Sequence, residues 1–395
     1  MPEIDHHARR AAPAQRWILS LAAVALAARI AGAQMPAVAS FTDRFDRYVR
    51  ESSILGASFA LVRDGRVVAA HNVGFADVAS RQMVDSNTMY QYGSITKTLV
   101  AITVLQLRDR GKLSLDDPAT KYLPELRRVY DPYGSPDSIT IRMLLSHTAG
   151  FQNPTWPWTK GEPWEPFEPT TWEQLVAMLP YQKLAFKPGT RWSYSNPALL
   201  YLARIVETIT GEPWLVYVQK NVFAPLGMTR SYFSATPYHL AAYRSNNYTI
   251  RKDSGSGRVD TVANGRDFDP GITNPNGGWN APLGDVVKWM AFLLDPARDE
   301  RLLTRASWEE IRRQVMATSE STAERPEYIG LTFFLVPRGG STFVGHTGSQ
   351  NGFTAFLYLN PATRSGIIAA FNTANDYAPR GAFKSLAEAS LELLR

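Results

Sequence analysis

Three short segments hold the residues whose types and spacing could do covalent chemistry. The first is Ser94-Ile95-Thr96-Lys97. A serine hydroxyl is a weak nucleophile and needs a proton acceptor within hydrogen-bond reach. Residues three apart on a helix share a face, so this tetrapeptide would set an amine against the hydroxyl. Ser94 is the only serine placed three residues ahead of a lysine. The same four residues also fit a serine N-cap followed by a solvated lysine. The second segment, Lys187-Pro188-Gly189 through Tyr194-Ser195-Asn196, places a Tyr-x-Asn between a turn and a helical run, where a loop can project the phenol into a cleft. The third, Gly345-His346-Thr347-Gly348-Ser349, joins two strand-like runs, and its glycines would let backbone approach a bound substrate. Read blandly, it is a tight strand connection. A second Tyr-x-Asn, Tyr358 to Asn360, ends an alternating run and reads as core plus turn. No serine has the flanking glycines of a Gly-x-Ser-x-Gly elbow, which excludes the α/β-hydrolase arrangement.

The elements that must position these segments follow from hydrophobic period. Phe41, Phe45 and Val49 have helical spacing. Ala57–Val62 and Val67–Val73 flank Arg63-Asp64-Gly65-Arg66, and Asp-Gly between β-branched runs predicts a hairpin. Leu99, Ile102 and Leu105 predict a helix over Ile95–Asp109 with Ser94 at its N-terminus. From about residue 110 to 325 the chain reads as helical patches between Pro- and Gly-rich loops, and beyond 327 the period becomes two until a closing amphipathic helix over Phe383–Leu394. Strands at both ends with helices between predict an α/β (α+β) fold. Its antiparallel sheet is built from both chain ends (about 34–93 and 327–395), with an all-helical lobe inserted at about 94–326. Phe151 to Trp172 holds four tryptophans among five prolines. That stiff aromatic loop would either wall a substrate pocket or clamp the helical lobe.

Composition bounds the function. Arg9, Arg10 and Arg16 precede the apolar run Trp17–Ala28, and Ala31-Gly32-Ala33 supplies a small-x-small cleavage pattern, so residues 1–33 read as a signal peptide and the mature chain as periplasmic or secreted. No other stretch is apolar for long enough to span a bilayer. The chain has no cysteine, hence neither disulfides nor a thiolate nucleophile. A formal charge of +6 with scattered basic residues gives no nucleic-acid footprint. The six histidines include no His-Glu-x-x-His, so neither a metal nor another cofactor is expected.

Ser-x-x-Lys, Tyr-x-Asn and a late His-Thr-Gly in this order resemble the serine β-lactamase and penicillin-binding family, in its class C and D,D-carboxypeptidase branch. The resemblance also includes Gly111–Leu123, Met143–Gly150, Gly277-Gly278 and Gly345–Phe353. It implies a β-lactamase/transpeptidase-like fold in which Ser94 attacks a carbonyl and becomes acylated. Lys97 would ease deprotonation of Ser94 and Tyr194, and Tyr194 would shuttle protons. Asn196 would orient Lys97 and a substrate amide. The oxyanion would lie between the backbone N–H groups of Ser94 and Ser349, with His346 and Thr347 on the substrate side. His346 stands where many β-lactamases have lysine and would bind a carboxylate, best when protonated, or assist the tyrosine. His147, in Met143–Gly150, reads as a structural neighbour and not as a base. The expected partner is a small-molecule or peptide acyl substrate, met by a D,D-peptidase or esterase more than by a β-lactamase. The competing class is a penicillin-binding sensor or scaffold that does not turn over.

Overall fold

The computed structural model describes residues 36–151, 169–252, 255, 257–295 and 299–395. The leader read at 1–33 and the body of the aromatic loop, 152–168, lie outside the described residues.

A nine-stranded sheet organises the chain. Its spatial order is Gln82–Met83, Arg66–Asp77, Gly56–Arg63, Ser365–Phe371, Phe353–Asn360, Ser341–Gln350, Phe334–Arg338, Tyr328–Ile329 and Met316–Ala317, with every pairing antiparallel. The N- and C-terminal portions meet in the middle, where Ala57 lies opposite Phe371 and Arg63 opposite Ser365. The predicted hairpin forms around Asp64 and Gly65, both at positive φ (50° and 75°), the geometry that makes Asp-Gly favourable in a two-residue turn.

Pleating divides the core into two layers. On Gly56–Arg63, Phe59 and Leu61 point to one face and Ala60 and Val62 to the other. The first face is covered by the helical residues 36–51, through Phe41, Phe45 and Val49, and by the Ala382–Leu391 helix through Leu386 and Leu391. The other face meets the large lobe, whose main helices are Lys97–Asp109, Asn196–Thr210 and Leu283–Leu294. Every residue from Lys97 to Leu107 is buried, which makes that helix the axis of the lobe.

The lobe is not purely helical. Asn247–Lys252 and Val259–Gly265 form a hairpin whose first strand pairs in parallel with Thr373–Asn375, and Met89–Gln91 pairs with Asn280–Pro282. Alternation on the hairpin is weak, because Val259 and Val262 are exposed and the outer strand buries little, so period alone missed it. The Met89–Gln91 pairing matters for function, since it ties the chain just before Ser94 to the chain just after Asn276.

Phe371 joins the two ends of the sequence. Its ring lies 5.3 Å from both Phe45 and Tyr48 and 6.1 Å from Phe383. Phe371→Ala should therefore cost about 3–5 kcal/mol, read as a lower urea midpoint. A loss below ~1 kcal/mol would mean that the two terminal helices do not depend on this contact.

Candidate active site

Ser94 sits in a 3-10 turn, Gly93–Thr96, that runs directly into the Lys97–Asp109 helix. The turn is stitched to the 276–280 segment: Tyr92 N donates to Trp279 O at 2.9 Å, and Trp279 N donates to Thr96 Oγ1 at 3.0 Å. Ser94 is half-buried, whereas Lys97 has no exposed surface. Lys97 Nζ donates to Ser94 Oγ at 2.9 Å and to the Asn276 carbonyl oxygen at 2.7 Å. Burial holds the amine well below its usual pKa range. A neutral amine keeps two N–H donors and gains a lone pair, and that lone pair is what a proton acceptor for Ser94 requires.

Tyr194 reaches the same place from the other side of the lobe. Ser195 caps the Asn196–Thr210 helix by accepting from Ala198 N at 3.3 Å, and Pro197 occupies its first turn. The tyrosine thus sits one residue outside a well-defined helix start. Its ring centroid lies 5.0 Å from Lys97 Nζ and 4.7 Å from that of His147. Burial pushes the phenol above its ordinary pKa, partly offset by its hydrogen bond with the Ser94 hydroxyl. It therefore stays protonated at neutral pH and can act as a donor. Asn196, the first residue of the helix, is half-buried.

The Ser341–Gln350 strand passes close to the Ser94 turn. A Cβ on Gly348 would stand 1.9 Å from Tyr92 O and 3.2 Å from Ser94 N, and one on Gly93 would stand 2.6 Å from Ser349 N. Gly93 is at φ +50°. Only glycine at these two positions lets the backbone amides of Ser94 and Ser349 come together. The strand also has a free side. On this strand Phe334–Arg338 pairs with Ser341–Gly345 and reaches no further, so the outer edge of residues 346–350 has no strand partner among the described residues. An extended acyl or amide group could lie along it.

His346 and Thr347 part company on this strand. His346 is buried, 5.0 Å from the Phe334 ring and 6.3 Å from that of Tyr194. Its Nδ1–H donates to the Thr347 carbonyl, leaving an unprotonated Nε2. Burial, then the repulsion a protonated Lys97 would exert, pushes its pKa down to about 3. The expectation of a protonated His346 anchoring a carboxylate thus meets an obstacle: this imidazole is neutral across the range where proteins work. Thr347 lines a cavity of about 280 Å³ with Trp192, Tyr358 and Phe383. Ser349 is exposed at the edge by Gly93.

Sequence reasoning missed the Asn276 carbonyl that receives the Lys97 amine. A backbone oxygen has no residue type to announce it, and the one available signal was Gly277-Gly278 just after it. A Cβ on Gly277 would stand 2.8 Å from Gln350 Oε1, and the space it leaves open lets this segment pack beside Gly93.

An antiparallel sheet joined to a mainly helical lobe, with a serine, a buried lysine and a tyrosine at their junction, is the arrangement of the serine hydrolases of the penicillin-recognising class. The chain belongs to the β-lactamase family, whose profile matches residues 41–389. Among curated relatives, protein Flp of Staphylococcus aureus (strain COL) is 24% identical over 340 residues, covering 84% of this chain and 62% of that protein. Esterase EstB of Burkholderia gladioli is 32% identical over 260 residues, 59% of this chain and 64% of the esterase. The chain thus spans less than two thirds of the length of these relatives. Among solved structures, an octameric penicillin-binding protein homologue from Pyrococcus abyssi superposes with a TM-score of 0.74 at 27% identity, over 90% of this chain and 77% of that one. A class C β-lactamase superposes with a TM-score of 0.73 at 21% identity, over 92% and 97%. The second is a likeness of fold.

Burial of Lys97 has a measurable linkage. Its folded pKa lies below the unfolded value near 10.5, so between the two the unfolded chain binds more protons and stability rises with pH. The slope is at most ~1.4 kcal/mol per pH unit. In Lys97→Met that contribution is gone. The wild-type minus variant difference in unfolding free energy should climb between about pH 8 and 10, and a flat difference would show that Lys97 stays charged when folded.

Proposed function

We propose that the protein is an exported serine hydrolase that cleaves esters or amides through an acyl-enzyme on Ser94, with esterase-like preference for substrates that bear no carboxylate beside the scissile bond. One observation carries the preference: the strand position beside the Tyr194 ring is held by His346, buried and neutral, where a carboxylate would need a permanent cation. The match to EstB, an esterase, supports the same reading.

In this reaction the Lys97 amine takes the proton of the Ser94 hydroxyl as Oγ attacks the substrate carbonyl carbon. The oxyanion that forms lies between the amides of Ser94 and Ser349, fixed dipoles in a partly dry site. As the tetrahedral adduct collapses, Tyr194 gives its proton to the leaving alcohol or amine and is reprotonated from Lys97. A water then repeats the sequence against the acyl-enzyme and frees the acid. No step needs a metal or cofactor. The leader at 1–33 would place this chemistry outside the cytoplasm.

Intact-mass spectrometry of the protein purified from the periplasm or medium tests the reading. A mass lacking residues 1–33 is expected, with one fluorophosphonate adduct on wild type that Ser94→Ala lacks, turnover of nitrophenyl esters, and weak reaction with penicillins. A stable penicillin adduct without ester turnover would favour a sensor or scaffold, and rapid penicillin turnover a β-lactamase. The kcat/KM profile of His346→Gln should superimpose in shape on that of wild type between about pH 5 and 8, since a group held near pH 3 does not titrate there. A limb lost in the variant would show that His346 does change charge.

A further inference from the structure

His147 sits in a backbone conformation that a histidine has little reason to adopt. The Ile141–Leu145 helix ends at Ser146, and His147 follows at φ +57°. Thr148 N donates to Met143 O at 2.9 Å and His147 N to Leu144 O at 3.4 Å, the paired bonds of a helix terminus whose left-handed residue is ordinarily glycine. Fold alone would favour glycine here. Residue 147 meets the tyrosine loop in three places, one through its backbone carbonyl, which a glycine would keep, and two through the imidazole, which only the histidine supplies. Its carbonyl accepts from Ser193 N at 2.9 Å. Its Nδ1 accepts from Ser195 N at 3.1 Å. Its ring stacks on that of Tyr194, centroids 4.7 Å apart and planes 27° from parallel.

The bond from Ser195 fixes the tautomer, because an Nδ1 that accepts leaves the ring proton on Nε2. Nε2 is buried and has no hydrogen-bond partner among the described residues, so the one hydrogen bond of the ring goes to the residue after Tyr194 and its stacking to Tyr194 itself. Burial above all, and next the repulsion that a protonated Lys97 or His346 would exert, holds the imidazole well below its usual pKa. It is thus poorly suited to be a base, and nothing brings it to Ser94. The neighbouring positions Ser193 and Ser195 are held by hydrogen bonds while Tyr194 between them is held by ring contact.

We propose that His147 is a positioning residue of the reaction: it clamps Ser193 and Ser195 and stacks on the Tyr194 ring, so that the phenol is held at the Ser94 hydroxyl. The inference rests on the acyl-enzyme reading above. It adds a residue whose effect passes through Tyr194 and not through substrate. A misplacement of about 1 Å in such a group costs ~10²-fold in rate.

The test uses His147→Gly, which relieves the left-handed backbone, His147→Asn, which tolerates it and offers an acceptor near the place of Nδ1, and Tyr194→Phe, alone and combined. The rate of Ser94 labelling by a fluorophosphonate and kcat and KM on a nitrophenyl ester are read beside thermal unfolding. His147→Gly should unfold within a few degrees of wild type yet lose about 10²-fold in kcat and labelling, with KM changed less than about threefold. His147→Asn should recover part of that loss. In the Tyr194→Phe background the His147→Gly change should cost no more than about twofold, since residues acting as one unit are not additive. Full additivity, or wild-type rates in His147→Gly, would overturn the proposal while leaving the acyl-enzyme reading intact. Wild type that labels no better than Ser94→Ala would overturn both. If His147→Gly fails to fold, the cycle is run with His147→Asn, and additivity there overturns the proposal equally.

Discussion

A lysine amine without exposed surface can persist only if its neighbours satisfy its protons and its charge is relinquished. Lys97 meets both conditions through Ser94 Oγ and the Asn276 carbonyl, and much of the architecture exists to bring those two oxygens to it. Ser94 arrives by the turn that precedes the helix. Asn276 arrives from 179 residues away in sequence, held by the Tyr92–Trp279 and Trp279–Thr96 bonds and the Met89–Gln91 pairing with Asn280–Pro282. The close pass of Gly348 against Tyr92 closes the site from the sheet side. Removing any of these would leave the amine short of a partner, which is why the site spans the junction of the lobes and belongs to neither.

The parts that could be read from sequence were those where the proposed chemistry or the close backbone packing demands a residue type. Ser94 and Lys97 had to be three apart, Tyr194 had to precede a helix start, and Gly348 had to be glycine. The Asp64-Gly65 hairpin and the period-two strands after residue 327 were legible because turn chemistry and alternation are local. What escaped was nonlocal or made of backbone. The Asn276 carbonyl could not be inferred from a side chain, and the Asn247–Lys252 strand is recruited by Thr373–Asn375, more than a hundred residues on. His147 was visible as a residue but not as a conformation, since nothing in the letters says that it takes the place of a C-terminal glycine.

Three basic side chains stand around the Tyr194 ring, and burial holds each of them below its ordinary pKa. Lys97, His147 and His346 are each buried, and the amine further disfavours protonation of both imidazoles. Charging any one of them would strand a cation in the interior beside potential cations, at a cost that a bare lone pair avoids. These three groups therefore give the site no fixed positive charge with which to select an anionic substrate. What it would offer a reacting carbonyl, on the proposed reading, is oriented dipoles, the amides of Ser94 and Ser349, and a protonated phenol. Dipoles stabilise charge that appears during reaction more than charge the substrate brings with it, because they are already aimed at the place where it will develop. On the proposed acyl-enzyme reading, a neutral imidazole at position 346 would shift selection away from ground-state anion binding and toward the geometry of the acyl group, and the burden of specificity would fall on the open strand edge at 346–350 and on the placement of Tyr194.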